Sequence, residues 1–311
     1  MHRNAPLVAL AALVAAPFAF AGDKEANEIL KKAYEHWNDP QPTEALKLAN
    51  EALAANPEKV LKTQVQLFIG SLHQVKTGDL DAALKIYEDI ITANVGATDN
   101  NLKQLKADAM VRKANILYSE KDDKEQALRL MSSAHQLWPL STTAEIASQF
   151  FFRQGRMHDK GAADKQKALE GALKLAEESI TLAPSQFQGE KLKDRLAKHT
   201  AKCKLQLAIC QLGIDKKAEA EATFASINQA DMNDAHLYQW ATYLAIKGDA
   251  DGATEKLTRF MSTRPAGPEG AKARNQLRKF IRSEPDFQSM QKRPDWKTLT
   301  EDEPEAAAPG K

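Results

Sequence analysis

Small and bulky apolar residues alternate along this chain at helical spacing. Between Leu80 and Ile91, Ala83, Tyr87 and Ile90 fall on one face of a helix. Small Ala83 lets a neighbouring helix approach, and Tyr87, four residues on, fills the space that opens beside it. Related triplets recur: Ala45, Ala49 and Ala52; Ala127, Met131 and Ala134; Ala172, Ala176 and Ser179; Ala220, Phe224 and Ile227; Ala253, Leu257 and Phe260. Most follow a second apolar stripe a short turn upstream, such as Val111, Ala114 and Tyr118, or Leu237, Trp240, Ala241 and Leu244. Long strand-like alternation is absent. The pattern predicts a series of helix hairpins.

The punctuation agrees with it. Asp39-Pro40-Gln41-Pro42 and Gly248-Asp249 read as turns inside hairpins, and Thr43 with Glu44 can cap a second helix. Pro57, Pro139, Pro184 and Pro265 stand where second helices should close. Three places depart from the rhythm. Gly70 fits a helix crossing only if the turn after it gains one or two residues. In the fourth hairpin the first helix, about Thr143 to Gln154, comes early and leaves a polar insertion from Gly155 to Asp164. The fifth begins with a long helix, about Glu190 to Leu212. An amphipathic helix from Gly270 to Arg282, with Ala273, Leu277, Phe280 and Ile281 inward, follows the sixth. Two related phrases, Glu284 to Met290 and Arg293 to Leu299, offer Phe287, Met290, Trp296 and Leu299 as apolar pegs. Thr300 to Lys311, acidic and rich in Ala and Pro, reads as a disordered tail.

From Glu25 to Leu299 this succession resembles the tetratricopeptide repeat family, most specifically around Ala127–Pro139 and Leu237–Pro265. The resemblance implies an all-α, right-handed α-solenoid of about six helix hairpins over residues 22–282, ending in a capping helix, with residues 283–299 as an end motif. It also implies that first helices line a concave groove for a protein or peptide partner. In this sequence the corresponding residues are Arg112, Ile116, Ser119 and Glu120 in the third hairpin, and Tyr238, Thr242 and Ile246 in the sixth. Arg112 and Tyr238 are the expected anchors, because Arg and Tyr are enriched where truncation weakens binding most.

The first residues change the setting. A basic start, sixteen apolar residues from Ala5 to Phe20 and Ala19-Phe20-Ala21 read as a signal peptide, residues 1–21, cleaved before Gly22. The stretch is shorter than the ~20 residues that span a bilayer, so a periplasmic or secreted protein with no remaining transmembrane segment is expected. The 311 residues include 43 basic and 42 acidic ones, and that balance gives no argument for nucleic acid. Local basic runs at Lys191–Lys204 and Lys272–Lys297 leave a second reading open, a binder of anionic lipid or cell-wall polymer.

Candidate chemistry is sparse. No phosphate-cradling glycine loop, G-x-S-x-G elbow or H-E-x-x-H occurs. Cys203 and Cys210 are seven apart in one helix, ~10 Å and hence too far for a disulfide, and read as core thiols. His199 and Cys203 adjoin on a helix face but supply only two of the three or four ligands zinc wants, so no metal or cofactor is expected, and a metal-dependent role at this pair stands as a third reading. The sequence points to a non-enzymatic protein- or peptide-binding scaffold of the bacterial cell envelope.

Overall fold

The computed structural model describes residues 24–39, 42–121, 123–157, 161–264 and 268–303. The expected signal peptide and its cleavage site, the turn residues Pro40 and Gln41, the closing Pro265 and the tail beyond 303 lie outside them. Among the described residues the chain is all-helical, without strands. No helix there is long and apolar enough to cross a membrane.

The chain forms two compact units, the first ending at Trp138 and the second beginning at Pro139. Unit 1 contains α1 (Lys24–Glu35), α2 (Thr43–Ala54), α3 (Lys59–Leu72), α4 (Leu80–Ala93), α5 (Asn100–Ser119) and α6 (Lys124–Leu137). Unit 2 contains α7 (Ser141–Arg156), α8 (Ala162–Gln186), α9 (Lys193–Gly213), α10 (Lys217–Ala225), α11 (Leu237–Lys247), α12 (Ala250–Ser262), α13 (Pro268–Ser283) and α14 (Pro294–Thr300), with a 3₁₀ segment Pro285–Met290 between the last two. In each unit successive helices pair, and the first members of neighbouring pairs also touch: α1, α3 and α5 in unit 1, and α7, α9 and α11 in unit 2.

The small positions sit where helices cross. Ala45, Ala49, Ala52, Ala83, Ala127, Ala134, Ala172, Ala176, Ala220 and Ala253 are all fully buried, as are Tyr87 and Met131. The two Gly-Asp turns share one device. Gly78 and Gly248 take left-handed φ values of 70° and 95°, and Asp79 and Asp249 each accept a backbone N–H from the third residue on. Glycine ends one helix without a Cβ clash while aspartate caps the next.

Gly70 also finds its place. A Cβ there would lie 2.7 Å from the Tyr87 ring, so this is the tight crossing, and a π-helical turn at His73–Thr77 takes up the extra length. Two expectations are corrected. Pro184 does not close α8, which runs on to Gln186; so near the end, the missing N–H costs a single intrahelical bond. Both ends of the polar insertion from Gly155 to Asp164 are helix, since α7 runs to Arg156 and α8 starts at Ala162.

The end of the chain is more ordered than its composition implies. Phe287, Met290, Trp296 and Leu299 are buried against Leu257, Leu277 and Ile281, as the peg pattern requires. Thr300 is buried in α14. Asp302 and Glu303 are held by arginines of α13. The disordered tail therefore cannot begin at residue 300, because charge pairing supplies what apolar content does not.

Candidate functional site

Unit 2 carries a shallow cleft of about 20 Å³ that is open to solvent. Gln149, Phe152 and Arg153 of α7 line one side, Gln206 and Ile209 of α9 the floor, and Tyr238, Gln239 and Thr242 of α11 the other side. Glu284 and Asp286, at the 3₁₀ segment, close the rim. On α7, Glu145, Gln149, Arg153 and Arg156 fall at spacings of three and four, so one helix face delivers them together.

Beneath the cleft lies a polar network. Glu145, only 1% exposed, accepts from Lys202 Nζ at 2.9 Å and from Gln239 Nε2 at 3.1 Å, and also from Gln149. Burial opposes its charge, but Lys202 outweighs this and holds the carboxyl below its ordinary range. Gln239 Nε2 also reaches Gln206 Oε1 at 3.2 Å, and Gln206 Nε2 donates to Ser148 Oγ at 3.3 Å. Gln239 is 7% exposed and its Oε1 has no hydrogen-bond partner in the protein. An unmet buried acceptor costs about 1–3 kcal/mol.

The rim ties the end of the unit to its beginning. Arg156 Nε donates to Asp286 Oδ1 at 2.8 Å across 130 residues, and Arg153 lies 3.6 Å from Glu284. Burial nonetheless pushes the Asp286 carboxyl up, against the pull of Arg156. Tyr238 sits among Phe260, Phe280 and Phe287 with ring centroids 5.7–6.0 Å away. It is a packing residue as well as a wall.

Of the groove residues expected from the sequence, Tyr238 and Thr242 line this cleft, and half-buried Ile246 packs on the unit 2 core. The other four belong to unit 1. Ser119 is exposed, its hydroxyl bonded to the Asn115 carbonyl, and Glu120 is half-buried. Ile116 is core. Arg112 is corrected as a solvent-facing anchor: it is 6% exposed, and its Nε donates to Asp108 Oδ1 at 3.1 Å. Burial disfavours its charge, but Asp108 and then Tyr87 outweigh this and raise its pKa. Its long side chain turns inward because the carboxylate one helical turn back lies there.

The His199 cluster is internal. His199 Nε2 lies 2.7 Å from Ser141 Oγ and 3.3 Å from Cys203 Sγ, while Ser141 Oγ donates to the Ser179 carbonyl at 2.5 Å. With the hydroxyl proton committed to that carbonyl, the imidazole serves as donor and is no base for Ser141. Burial lowers His199 to about 4 and pushes Cys203 up to about 12, so neither a thiolate nor an imidazolium forms near neutral pH. Cys203 and Cys210 are free and buried, as their stripe predicted. Among the described residues no three His, Cys, Asp or Glu side chains converge as they would around a metal.

Part of each basic run is paired within the chain. Lys193 pairs with Glu190, Lys198 with Asp194, Lys202 with Glu145, and Arg274 and Arg278 with Glu303.

Sequence reasoning missed Glu145, Gln149, Gln206, Gln239, Glu284 and Asp286. A signal was present for one of them: Gln206 interrupts the stripe that carries Cys203, Leu207 and Cys210. Buried polar residues hold their place only with partners. No protein-family model matches the chain, and comparison with curated proteins gives no match.

Proposed function

We propose that this chain is an exported, non-enzymatic binding protein built of tetratricopeptide-like hairpins in a right-handed α-solenoid, and that it holds a protein or peptide partner in the unit 2 cleft. The observation that carries this reading is the solvent-open cleft between α7, α9 and α11, lined by Gln149, Gln206, Tyr238, Gln239 and Thr242 beside an acidic rim. The amide and hydroxyl groups of that lining suit the backbone groups of a peptide. The hairpin pattern and the buried small residues support the repeat assignment. The apolar N-terminal stretch with its A-x-A site supports export to a periplasm or beyond.

Capture from envelope extracts tests this, comparing wild type with Gln239→Leu and Gln149→Ala at matched stability. One protein retained by wild type and lost from both variants is expected. Equal retention by all three would mean that the cleft is not the binding site.

A further inference from the structure

Arg274, Arg278 and Arg282 follow one another at four-residue spacing along α13, so their guanidiniums share a face and repel one another unless an anion lies against them. The anion present is the chain's own end. Arg274 grips Glu303 with both carboxylate oxygens, Nε to Oε1 at 2.7 Å and Nη2 to Oε2 at 2.6 Å, and Arg278 Nη2 reaches Oε1 at 2.8 Å. These bonds pull the Glu303 carboxyl down to about 2. Arg282 meets Asp302 Oδ1 at 3.1 Å.

The backbone is read too. Asn275 Nδ2 donates to the Glu303 carbonyl at 2.9 Å and its Oδ1 accepts the Glu303 N–H at 2.7 Å, while Arg278 Nε donates to the Leu299 carbonyl at 3.2 Å. A two-pronged amide contact of this kind recognises extended peptide of any sequence, and the bidentate arginine selects a carboxylate. Asp302 and Glu301 meanwhile remain exposed. Glu301–Glu303 follow the buried Leu299 and Thr300 and are held by polar contacts, so these three residues can leave without opening the core.

We propose that the arginine face of α13 is a receptor site for an extended acidic peptide segment of a partner protein, occupied in the free chain by Glu301–Glu303 as a tethered competitor. This site is separate from the cleft and stands whether or not the cleft binds. A tether holds its ligand at an effective concentration near the millimolar range. An incoming segment therefore binds with an affinity reduced by the fraction of time the site is open.

The probe is a synthetic peptide with the sequence of residues 299–305, beside a control with Asn and Gln for its acids. Full-length chain carrying Asp302→Asn and Glu303→Gln is expected to bind the peptide at least about tenfold more tightly than wild type. Added salt should weaken that binding, and Arg274→Ala with Arg278→Ala in the same chain should abolish it. Equal binding by wild type and the freed chain, or by the control peptide, overturns the proposal. A second measurement leaves every clamp residue in place. A fluorophore on Glu301→Cys of the otherwise unaltered protein should lose anisotropy as peptide displaces the tail, and constant anisotropy at high peptide concentration overturns it as well.

Discussion

Unit 1 and unit 2 both bury polar side chains among their first helices, yet the two clusters end differently. In unit 1, Arg112 and Asp108 pair on α5, and Tyr87 donates to Gln74 Oε1 at 2.8 Å. The charges meet inside one helix turn. In unit 2, Glu145 of α7 draws on Lys202 of α9 and Gln239 of α11, so the network spans three helices and adjoins the cleft that Gln239 lines. The same layer of first helices can thus be sealed or left open. Which it becomes depends on whether the ionic partners are local or distant. Local pairs finish the core, and distant ones shape a site.

The largest effect that would break this contrast is at Arg112. Arg112→Ala leaves Asp108 buried without its partner and should cost about 3–5 kcal/mol, read as a lowered midpoint in denaturant. Lys202→Ala should cost less, because Glu145 keeps the donors Gln239 and Gln149 and water can reach the space Lys202 vacates. The reverse order would mean that unit 1 is the open one.

Next comes pH. His199 is neutral in the fold with a pKa of about 4, below the ordinary value of about 6.5. Between these values the unfolded chain binds the proton and the folded one does not. Its contribution to stability is therefore present above pH 6.5 and lost as pH falls toward 4. Glu145, held low, adds a loss in the same direction as pH falls further. Unfolding of wild type and His199→Gln across this range should show a shallower pH dependence in the variant. Identical slopes would place His199 in solvent.

Equivalent hairpins sharpen the comparison. Ala83 and Ala253 hold the same place in units 1 and 2 and are both fully buried. Leucine at either should overpack the crossing by about 1–3 kcal/mol. A neutral result at one alone would show that the two hairpins are not equivalent. Smallest is the shared turn, where Gly78→Ala and Gly248→Ala should each cost about 1 kcal/mol through the left-handed backbone they require.

Much of the helical succession was legible in the sequence, because burial of small residues leaves a strict spacing. Ala83-Tyr87-Ile90 and Ala253-Leu257 mark helix crossings by their period alone. Gly70 could be read as a crossing but not registered, since a π-helical turn adds a residue without a composition of its own. The cleft was legible only where it coincided with the repeat pattern, at Tyr238 and Thr242. Arg112 misled because side-chain type says nothing of direction: a carboxylate four residues back turned it inward. Glu284 and Asp286 lie about 130 residues from the arginines they meet, and spacing along the chain carries no trace of such a contact. Nor does acidic composition distinguish a free tail from one clasped by Arg274 and Arg278.

The central claim is that unit 2 offers its first-helix layer to a partner while unit 1 keeps its own closed. Hydrogen exchange of the full chain, with and without the protein it captures, tests this most directly. The account predicts slowed exchange in α7, α9 and α11 around Gln149, Gln206 and Gln239, with α1, α3 and α5 unchanged. Protection confined to α1, α3 and α5, with the cleft helices exchanging as before, would contradict it.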